Sequence, residues 1–168
     1  LVVELMPDEA EARGLLALML LHDSRRTVRV DDEGVLVPLE MQDRGRWIHA
    51  QIDEGVQVLD TALAQQRRGP YQVQAAIAAR HARAPTALET DWPQIAALYA
   101  ALQAEHPSPV IALNAAVALA MAGAVDEGLA QLALLADEPA LNGYHLLPAA
   151  IADLQRRRGR LEEAATAY

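Results

Sequence analysis

Five histidines are the residues that would first point to a metal site or an acid–base catalyst. They are spread along the chain at His22, His49, His81, His106 and His145. None has a second ligand three or four residues away in a metal-binding pattern, and the chain has no Cys to supply a thiolate. We therefore expect structural or surface histidines and no metal site; a ligand role is the less favoured alternative.

The residues that could act as nucleophiles, acids or bases also lack catalytic spacing. Ser108 precedes Pro109 at the start of a predicted helix, where a capping role explains it better than catalysis. The paired acids Asp53-Glu54 and Glu162-Glu163 are adjacent and fit a solvated helix face. No phosphate-binding glycine loop is present. The sequence predicts no catalytic residue, no cofactor and no enzymatic activity; a hydrolase that uses His145 is the remote alternative.

Two short strings combine an acid, an aromatic ring and a predicted helix start. They are Gln42-Asp43-Arg44-Gly45-Arg46-Trp47 and Thr90-Asp91-Trp92. One interpretation is that each Asp caps a helix and each Trp anchors the core. The alternative is that both tryptophans line one groove, where Trp and Arg are common anchors for a partner.

Two further polar features have a structural and a functional interpretation. Asn114 lies on the apolar stripe of its helix, so it should bond to backbone groups or contact a ligand. The cluster Arg156-Arg157-Arg158-Gly159-Arg160 ends a predicted helix, where cations complement the helix dipole. An acidic partner is the alternative explanation for this cluster.

The elements that must position these residues recur at a nearly constant interval. Segments that open at Tyr71, Ser108 and Tyr144 are about 36 residues apart, and each predicts a helix, a turn and a second helix. The last two segments align when Gly123 is placed on Gly159. The pattern predicts an all-α fold of stacked antiparallel helix hairpins of the tetratricopeptide kind, with three pairs over residues 69–168.

The first part of the chain is predicted to complete a single domain over residues 1–168. Residues 1–68 predict two helices: one opened by Pro7-Asp8-Glu9, and one with a stripe at 48–63 that Asp43 would cap. Between them, valines that flank an acidic turn predict a small β-hairpin or extended loop near residues 28–37.

Composition restricts the possible partners. The net charge is −9 and all fourteen basic residues are Arg, which argues against nucleic-acid binding by this segment. No apolar run is long enough for a membrane span, so we expect no membrane partner. The chain does not begin with Met and stops at Tyr168 within an amphipathic pattern, so we expect a fragment of a longer protein.

Six strings occur in one order over nearly the whole chain. They are Gly14-Leu15-Leu16-Ala17-Leu18-Met19-Leu20-Leu21, Gln42-Asp43-Arg44 with Trp47, Gly69-Pro70-Tyr71-Gln72-Val73-Gln74-Ala75-Ala76-Ile77-Ala78-Ala79, Thr90-Asp91-Trp92, Pro107-Ser108-Pro109-Val110 and Gly143-Tyr144-His145-Leu146-Leu147. Together they resemble the C-terminal tetratricopeptide-like extension of bacterial extracytoplasmic-function sigma factors.

The resemblance implies a cytoplasmic, non-enzymatic regulatory domain attached to N-terminal sigma domains that are absent from this chain. Its partners would be those sigma domains, core RNA polymerase or a regulatory protein, with promoter DNA bound only by the missing domains. Candidate contact residues are Arg44, Trp47, Tyr71, Gln74, Trp92, Asn114, Tyr144 and His145.

Two other functions stay open: a small-molecule sensor with Asn114, Tyr144 and His145 in a pocket, and a scaffold unrelated to transcription. The chain departs from the family pattern at Ala115 and Ile151, where arginines would be expected.

Overall fold

The computed structural model describes residues 2–6 and 8–159, and most of these residues are helical. The all-α prediction is confirmed. The helices are α1 Val2–Leu5, α2 Ala10–Asp23, α3 His49–Ala64, α4 Pro70–Arg83, α5 Trp92–Glu105, α6 Pro109–Met121, α7 Val125–Leu134 and α8 Leu146–Arg157. Short 3₁₀ turns lie at Arg26–Val28, Leu39–Met41, Arg44–Arg46, Ala87–Glu89 and Pro139–Leu141. Among the described helices, none combines the length and apolar character that a bilayer span requires.

The chain divides into two compact units, Leu1–Asp91 and Trp92–Tyr168. In the first unit, α2 packs against both α3 and α4, and α3 also contacts α4. The core of this unit joins the predicted α3 stripe, Ile52, Val56 and Leu59, to small residues on the other two helices. Small residues permit close approach: a Cβ on Gly14 of α2 would lie 2.8 Å from the Gln72 nitrogen of α4.

The amino end of α4 is held by a side chain from α2. The Glu11 carboxylate accepts hydrogen bonds from the backbone N–H groups of Tyr71 (2.9 Å) and Gln72 (3.2 Å), and from Gln72 Nε2 (3.0 Å). It therefore satisfies backbone donors that lack an intrahelical partner and places negative charge at the positive end of the helix dipole. A Cβ at Gly69 would collide with the Glu11 side chain, so this cap needs glycine there.

The small β-hairpin or extended loop predicted near residues 28–37 is a tight loop with one antiparallel bridge. In the described ranges, Val30 and Leu36 form an isolated antiparallel bridge, and residues 26–28 form a 3₁₀ turn. Asp31 Oδ1 accepts from the backbone N–H groups of Glu33 (3.0 Å) and Val35 (2.8 Å). Two backbone hydrogen bonds also cross the loop, from the Asp31 N–H to the Val35 carbonyl and from the Val37 N–H to the Arg29 carbonyl, each at 2.9 Å. The loop is thus closed by one short antiparallel bridge together with the Asp31 side chain.

The second unit is built on α6, which packs against α5 and α7, while α8 contacts α6 and α7. Its core includes Leu113, Ala116 and Ala120 of α6, with Leu132 of α7 and Leu154 of α8. A Cβ on Gly128 of α7 would lie 2.7 Å from the Ala116 carbonyl oxygen, so glycine lets α6 and α7 approach closely.

Several local predictions need correction or fall outside the described part. Asp43 does not cap α3: its carboxylate caps the 3₁₀ turn at 44–46, and α3 begins after Ile48. Ser108 occupies the N-cap position of α6, but its hydroxyl makes no capping bond. The helix predicted after Gly159, and Arg160, lie outside the described residues, as does Pro7. The grouping of 69–168 into three pairs stays a prediction, because α4 belongs to the first unit.

Candidate interaction surface

The segment Gln42–Trp47 is a rigid turn built by its own side chains. Asp43 Oδ1 accepts a hydrogen bond from the Gly45 N–H at 2.9 Å, and buried Gln42 donates from Nε2 to the Val37 carbonyl at 2.9 Å. These bonds fix the direction in which Arg44 and Trp47 leave the backbone. We call residues 42–47 the clamp turn.

Arg44 binds the carboxyl end of α4. Its Nη1 donates to the carbonyl oxygens of His81 (2.5 Å) and Ala84 (3.0 Å), which is the negative end of the helix dipole. The guanidinium carbon also lies 4.6 Å from the centre of the Trp47 ring, in cation–π geometry. Arg44 is therefore explained largely by its role in the fold of the first unit.

Trp47 is a core residue, with 4% of its surface exposed. The interpretation of Trp47 as a core anchor agrees with the structure, because the ring belongs to the core cluster that contains Ile52, Leu59 and Ala79. The alternative that placed Trp47 among the exposed contact residues needs correction. Its indole Nε1 is buried and has no hydrogen-bond partner among the described residues. A buried donor without a partner costs about 1–3 kcal/mol of stability.

A cleft of about 470 Å³ opens beside the clamp turn. Its walls come from the clamp turn, the first turn of α3 and the end of α4. The lining residues are Arg44, Gly45, Trp47, His49, Ile52, Asp53, Ala82, Arg83, Ala84 and Pro85. The cleft thus combines two guanidinium groups, one imidazole and one carboxylate with an apolar floor.

A cluster of basic side chains lies next to Arg44 and includes residues from α2 and the turn that follows it. The sequence did not predict this cluster. Burial, with the nearby charges of Arg44, Arg25 and His22, lowers the pKa of His81 from its ordinary 6.5 to about 4. Burial and the charges of Arg25 and Arg29 also lower the pKa of His22. Within the described chain, none of the three arginines has a carboxylate at ion-pair distance. The cluster joins residues up to 59 positions apart, which no local pattern reveals.

The basic run at 156–160 has a local explanation in its described part. Arg156 and Arg157 pair with Asp153, and Arg158 pairs with Asp126 at 2.7 Å. Because these arginines already pair with carboxylates of the same unit, a structural role at the end of α8 explains them better than binding to an acidic partner.

Large apolar side chains are exposed next to the clamp turn, on the loop and the 3₁₀ turns that flank it. They are Val35, Leu36, Met41 and Leu88, with exposed fractions from 57% to 97%. The 3₁₀ turn that carries Met41 contacts the one that carries Leu88, which brings the two segments together. We call these four residues the apolar patch.

Acidic residues surround the apolar patch in the sequence. Residues 31–43 contain five carboxylates and no basic residue, and Glu89 follows Leu88. Exposed apolar residues with acidic neighbours in the sequence are compatible with a docking surface for a basic partner.

The other predicted contact residues are divided between the two units. Tyr71 is 41% exposed at the start of α4, and Gln74 is half-buried on the same helix. In the second unit, Trp92 is half-buried, and Asn114 donates from Nδ2 to the Val110 carbonyl of its own helix at 3.0 Å. Asn114 thus has the structural bond that we expected.

Tyr144 packs against the core of the second unit, while His145 is exposed with its ring centre 6.2 Å from that of Tyr144. The two tryptophans belong to different units, so a groove shared by them stays a prediction. Among the described residues, no group of His, Asp and Glu has an arrangement that could hold a metal ion.

The chain is similar to a protein family and to one bacterial protein, and neither description states an activity. Residues 1–63 match the model of a family of unknown function, DUF6596. The chain is 43% identical over all 168 residues to "Uncharacterized protein R00370" of Rhizobium meliloti (strain 1021). The chain spans 39% of the length of that relative. No solved structure matches the chain.

Proposed function

We propose that this chain is a protein-interaction module that regulates a larger protein, of the kind implied by its resemblance to the C-terminal extension of extracytoplasmic-function sigma factors. The all-α fold is compatible with that role. The similar Rhizobium protein is more than twice as long as the matched region, which leaves room for further domains such as those that read a promoter.

The apolar patch is the observation that carries this proposal. Leu88 is almost fully exposed, and Leu36 and Met41 are more than two-thirds exposed. Leu5 and Met19 of the same unit are also well exposed, but they lie on α1 and α2, away from these turns in the sequence. Met41 and Leu88 lie on two turns that contact each other, and exposed apolar groups on adjoining segments favour a surface that a partner covers.

Charge favours a basic partner. Asp32, Glu33 and Glu89 are close in sequence to residues of the patch, and the chain as a whole carries −9. A domain that binds promoter DNA must present a basic face, so sigma domains of the same protein would complement the patch electrostatically. Core RNA polymerase or a separate regulatory protein would be an alternative occupant.

The test is a promoter reporter in cells that express the full-length protein. Met41→Ser with Leu88→Ser should change promoter output at least several-fold, because both side chains leave the docking surface without disturbing the core. The matched control is Leu134→Ser on α7, which removes an equally exposed leucine from the second unit. Equal output from the double variant and from the unmodified protein, with normal protein levels, would refute the proposal.

A cross-linking experiment tests the partner directly. Because this segment has no Cys, Leu88→Cys introduces the one thiol of the segment, to which a photoactivated cross-linker can be attached after any other cysteine of the full-length protein has been replaced. Capture of the sigma domains of the same chain supports the proposal. Capture of RNA polymerase alone would show that the polymerase, and not the sigma domains, covers the apolar patch.

A further inference from the structure

Two arginines just after α2 are half-buried without a counter-ion. Arg25 and Arg29, which we call the arginine pair, lie on either side of the 3₁₀ turn Arg26–Val28. Within the described chain, neither guanidinium donates a hydrogen bond or has a carboxylate at ion-pair distance. A guanidinium carries five N–H donors, and burying donors without acceptors lowers stability. The arginine pair is therefore available to an acceptor from outside the described chain.

The backbone that carries the arginine pair is held in place at both ends. Immediately before Arg25, the Ser24 carbonyl accepts a hydrogen bond from the Ile48 N–H at 2.8 Å. At the other end, the Arg29 carbonyl accepts from the Val37 N–H at 2.9 Å. A fixed segment loses less conformational freedom when a ligand binds, which favours binding.

Positive charge exceeds negative charge around the arginine pair. Burial and the charges of Arg29 and Arg44 lower the pKa of Arg25. Burial and the charges of the pair also lower the pKa of His22. Arg44 already donates to two carbonyls at the end of α4, so it contributes charge to this region and no donor to a ligand.

One carboxylate of the same region, that of Asp23, is already bound. It accepts a hydrogen bond from Gln51 Nε2 at 2.8 Å and pairs with Arg26 at 2.5 Å. The charge of Arg29 also contributes to the lowered pKa of Asp23, after those of the closer groups. Because Asp23 and Arg26 offset each other, the other three arginines leave about three positive charges when the nearby histidines are neutral.

We propose that the arginine pair binds the phosphate group of a phosphomonoester. Its three terminal oxygens offer acceptors to two planar guanidinium groups at once, whereas one guanidinium already occupies both oxygens of a carboxylate. A phosphomonoester carries a charge near −2 at neutral pH, and the excess of positive charge attracts it more strongly than a monoanion. This site is separate from the apolar patch and does not depend on the function proposed for that patch.

An NMR titration of the full chain provides the test. ¹⁵N-labelled protein is titrated at pH 7.5 and constant ionic strength with methyl phosphate, dimethyl phosphate, succinate and acetate. We expect saturable shifts of the backbone amides of residues 24–30 with methyl phosphate, and at least tenfold weaker binding of the two monoanions. Absence of saturable shifts, or equal binding of dimethyl phosphate or succinate, would overturn the proposal.

Two variants and a matched control assign the binding groups. Arg25→Gln and Arg29→Gln should each weaken methyl phosphate binding at least fivefold. Arg68→Gln makes the same change of charge at an exposed arginine that precedes α4, whereas the charge of Arg25 reaches His81 in the last turn of that helix. The control should bind normally, and equal weakening in all three variants would reduce the effect to net charge and overturn the proposal.

Thermal unfolding separates a binding role of Arg25 from a structural one. Without phosphate, Arg25→Gln should unfold at the same temperature as the unmodified protein or at a higher one, because it removes repulsion from Arg29. Methyl phosphate should raise the unfolding temperature of the unmodified protein and not that of the variant. A variant that is less stable without phosphate would show that Arg25 has a structural contact, and would overturn the proposal.

The pKa of His22 gives a further readout, and His22→Gln identifies its ring signal. Saturation with methyl phosphate should raise this pKa towards its ordinary value, because the bound anion offsets the charges of the arginine pair. An unchanged pKa at saturation would place the anion elsewhere and contradict the assignment.

A last comparison separates the possible sources of the phosphate. Acetyl-Gly-phosphoserine-Gly-amide presents the same dianion on a peptide. Binding at least tenfold tighter than that of methyl phosphate supports a phosphorylated partner protein, and equal binding supports a small phosphorylated compound. Met41→Ser with Leu88→Ser should bind methyl phosphate normally, so failure of the reporter test leaves this result intact, and the reverse also holds.

Discussion

Arg44 lies over the ring of Trp47, with its guanidinium carbon 4.6 Å from the ring centre, while the same guanidinium bonds to two carbonyls at the end of α4. One side chain thus joins the clamp turn, the core tryptophan and a helix terminus. The main role of Arg44 and Trp47 in the clamp turn is therefore to stabilise the fold, and lining the cleft is a secondary one.

Loss of the Arg44 side chain should destabilise the protein. Arg44→Ala removes two hydrogen bonds to a charged donor and a cation–π contact, so we expect a loss of about 1.5–3 kcal/mol in the free energy of unfolding. Urea unfolding followed by circular dichroism measures this. Arg46→Ala, an exposed arginine in the same turn, is the control and should change stability by less than about 0.5 kcal/mol. Equal losses in both variants would contradict the capping role.

The ring of Trp47 should stabilise the folded protein, whereas its unpartnered indole N–H should destabilise it. Trp47→Ala leaves a cavity in the core and should cost about 3–5 kcal/mol. Trp47→Phe keeps most of the ring and removes the unpartnered N–H, so we expect a loss of less than about 1 kcal/mol. Thermal unfolding of the two variants compares these values. A Phe variant as unstable as the Ala variant would show that the N–H has a partner in solution.

The cap formed by Glu11 should depend on Gly69. Glu11→Ala should cost about 1–2 kcal/mol, because backbone N–H groups at the start of α4 lose their acceptor. Gly69→Ala should cost a similar amount by displacing the same carboxylate. The double variant should then be less destabilised than the sum of the two single variants. Strict additivity in denaturant unfolding would refute the coupling.

Stability should fall in mild acid because of His81. The pKa of His81 is about 4 in the folded protein against 6.5 ordinarily, so the unfolded chain binds the proton more readily. The stabilisation is fully present above pH 6.5 and is lost as the pH falls towards 4, by up to about 3 kcal/mol. Urea unfolding from pH 7.5 to 4.5 measures this loss. His81→Gln should flatten the curve over that interval, and an unchanged slope would contradict the assignment.

Local periodicity was sufficient to predict most helices. The stripe at 48–63 predicted α3, which spans His49–Ala64, and the Ser108-Pro109 start predicted α6. Between residues 28 and 37 the valines predicted a small β-hairpin or an extended loop, and the structure has a loop with one antiparallel bridge. A short pair of strands is only marginally stable, and here the Asp31 carboxylate adds two hydrogen bonds to the backbone of the loop.

The candidate surfaces could be predicted only in part. The string Gln42–Trp47 marked one wall of the cleft, but the partners of Arg44 lie 37 and 40 residues further along the chain. The apolar patch was missed because Leu39 and Met41 look alike in sequence: Leu39 packs on the core and Met41 is exposed. Which apolar residue is covered depends on tertiary packing that a single sequence does not encode locally.

Helix ends ordinarily fray, because their last peptide groups open without disturbing the rest of the molecule. In α4 both termini are tied down from outside, by Glu11 at one end and by Arg44 at the other. Amide protons in the first turn of α4 should exchange with solvent only after the hydrogen bonds to Glu11 of α2 break. The ends of α4 should therefore unfold together with its middle, and not by local fraying.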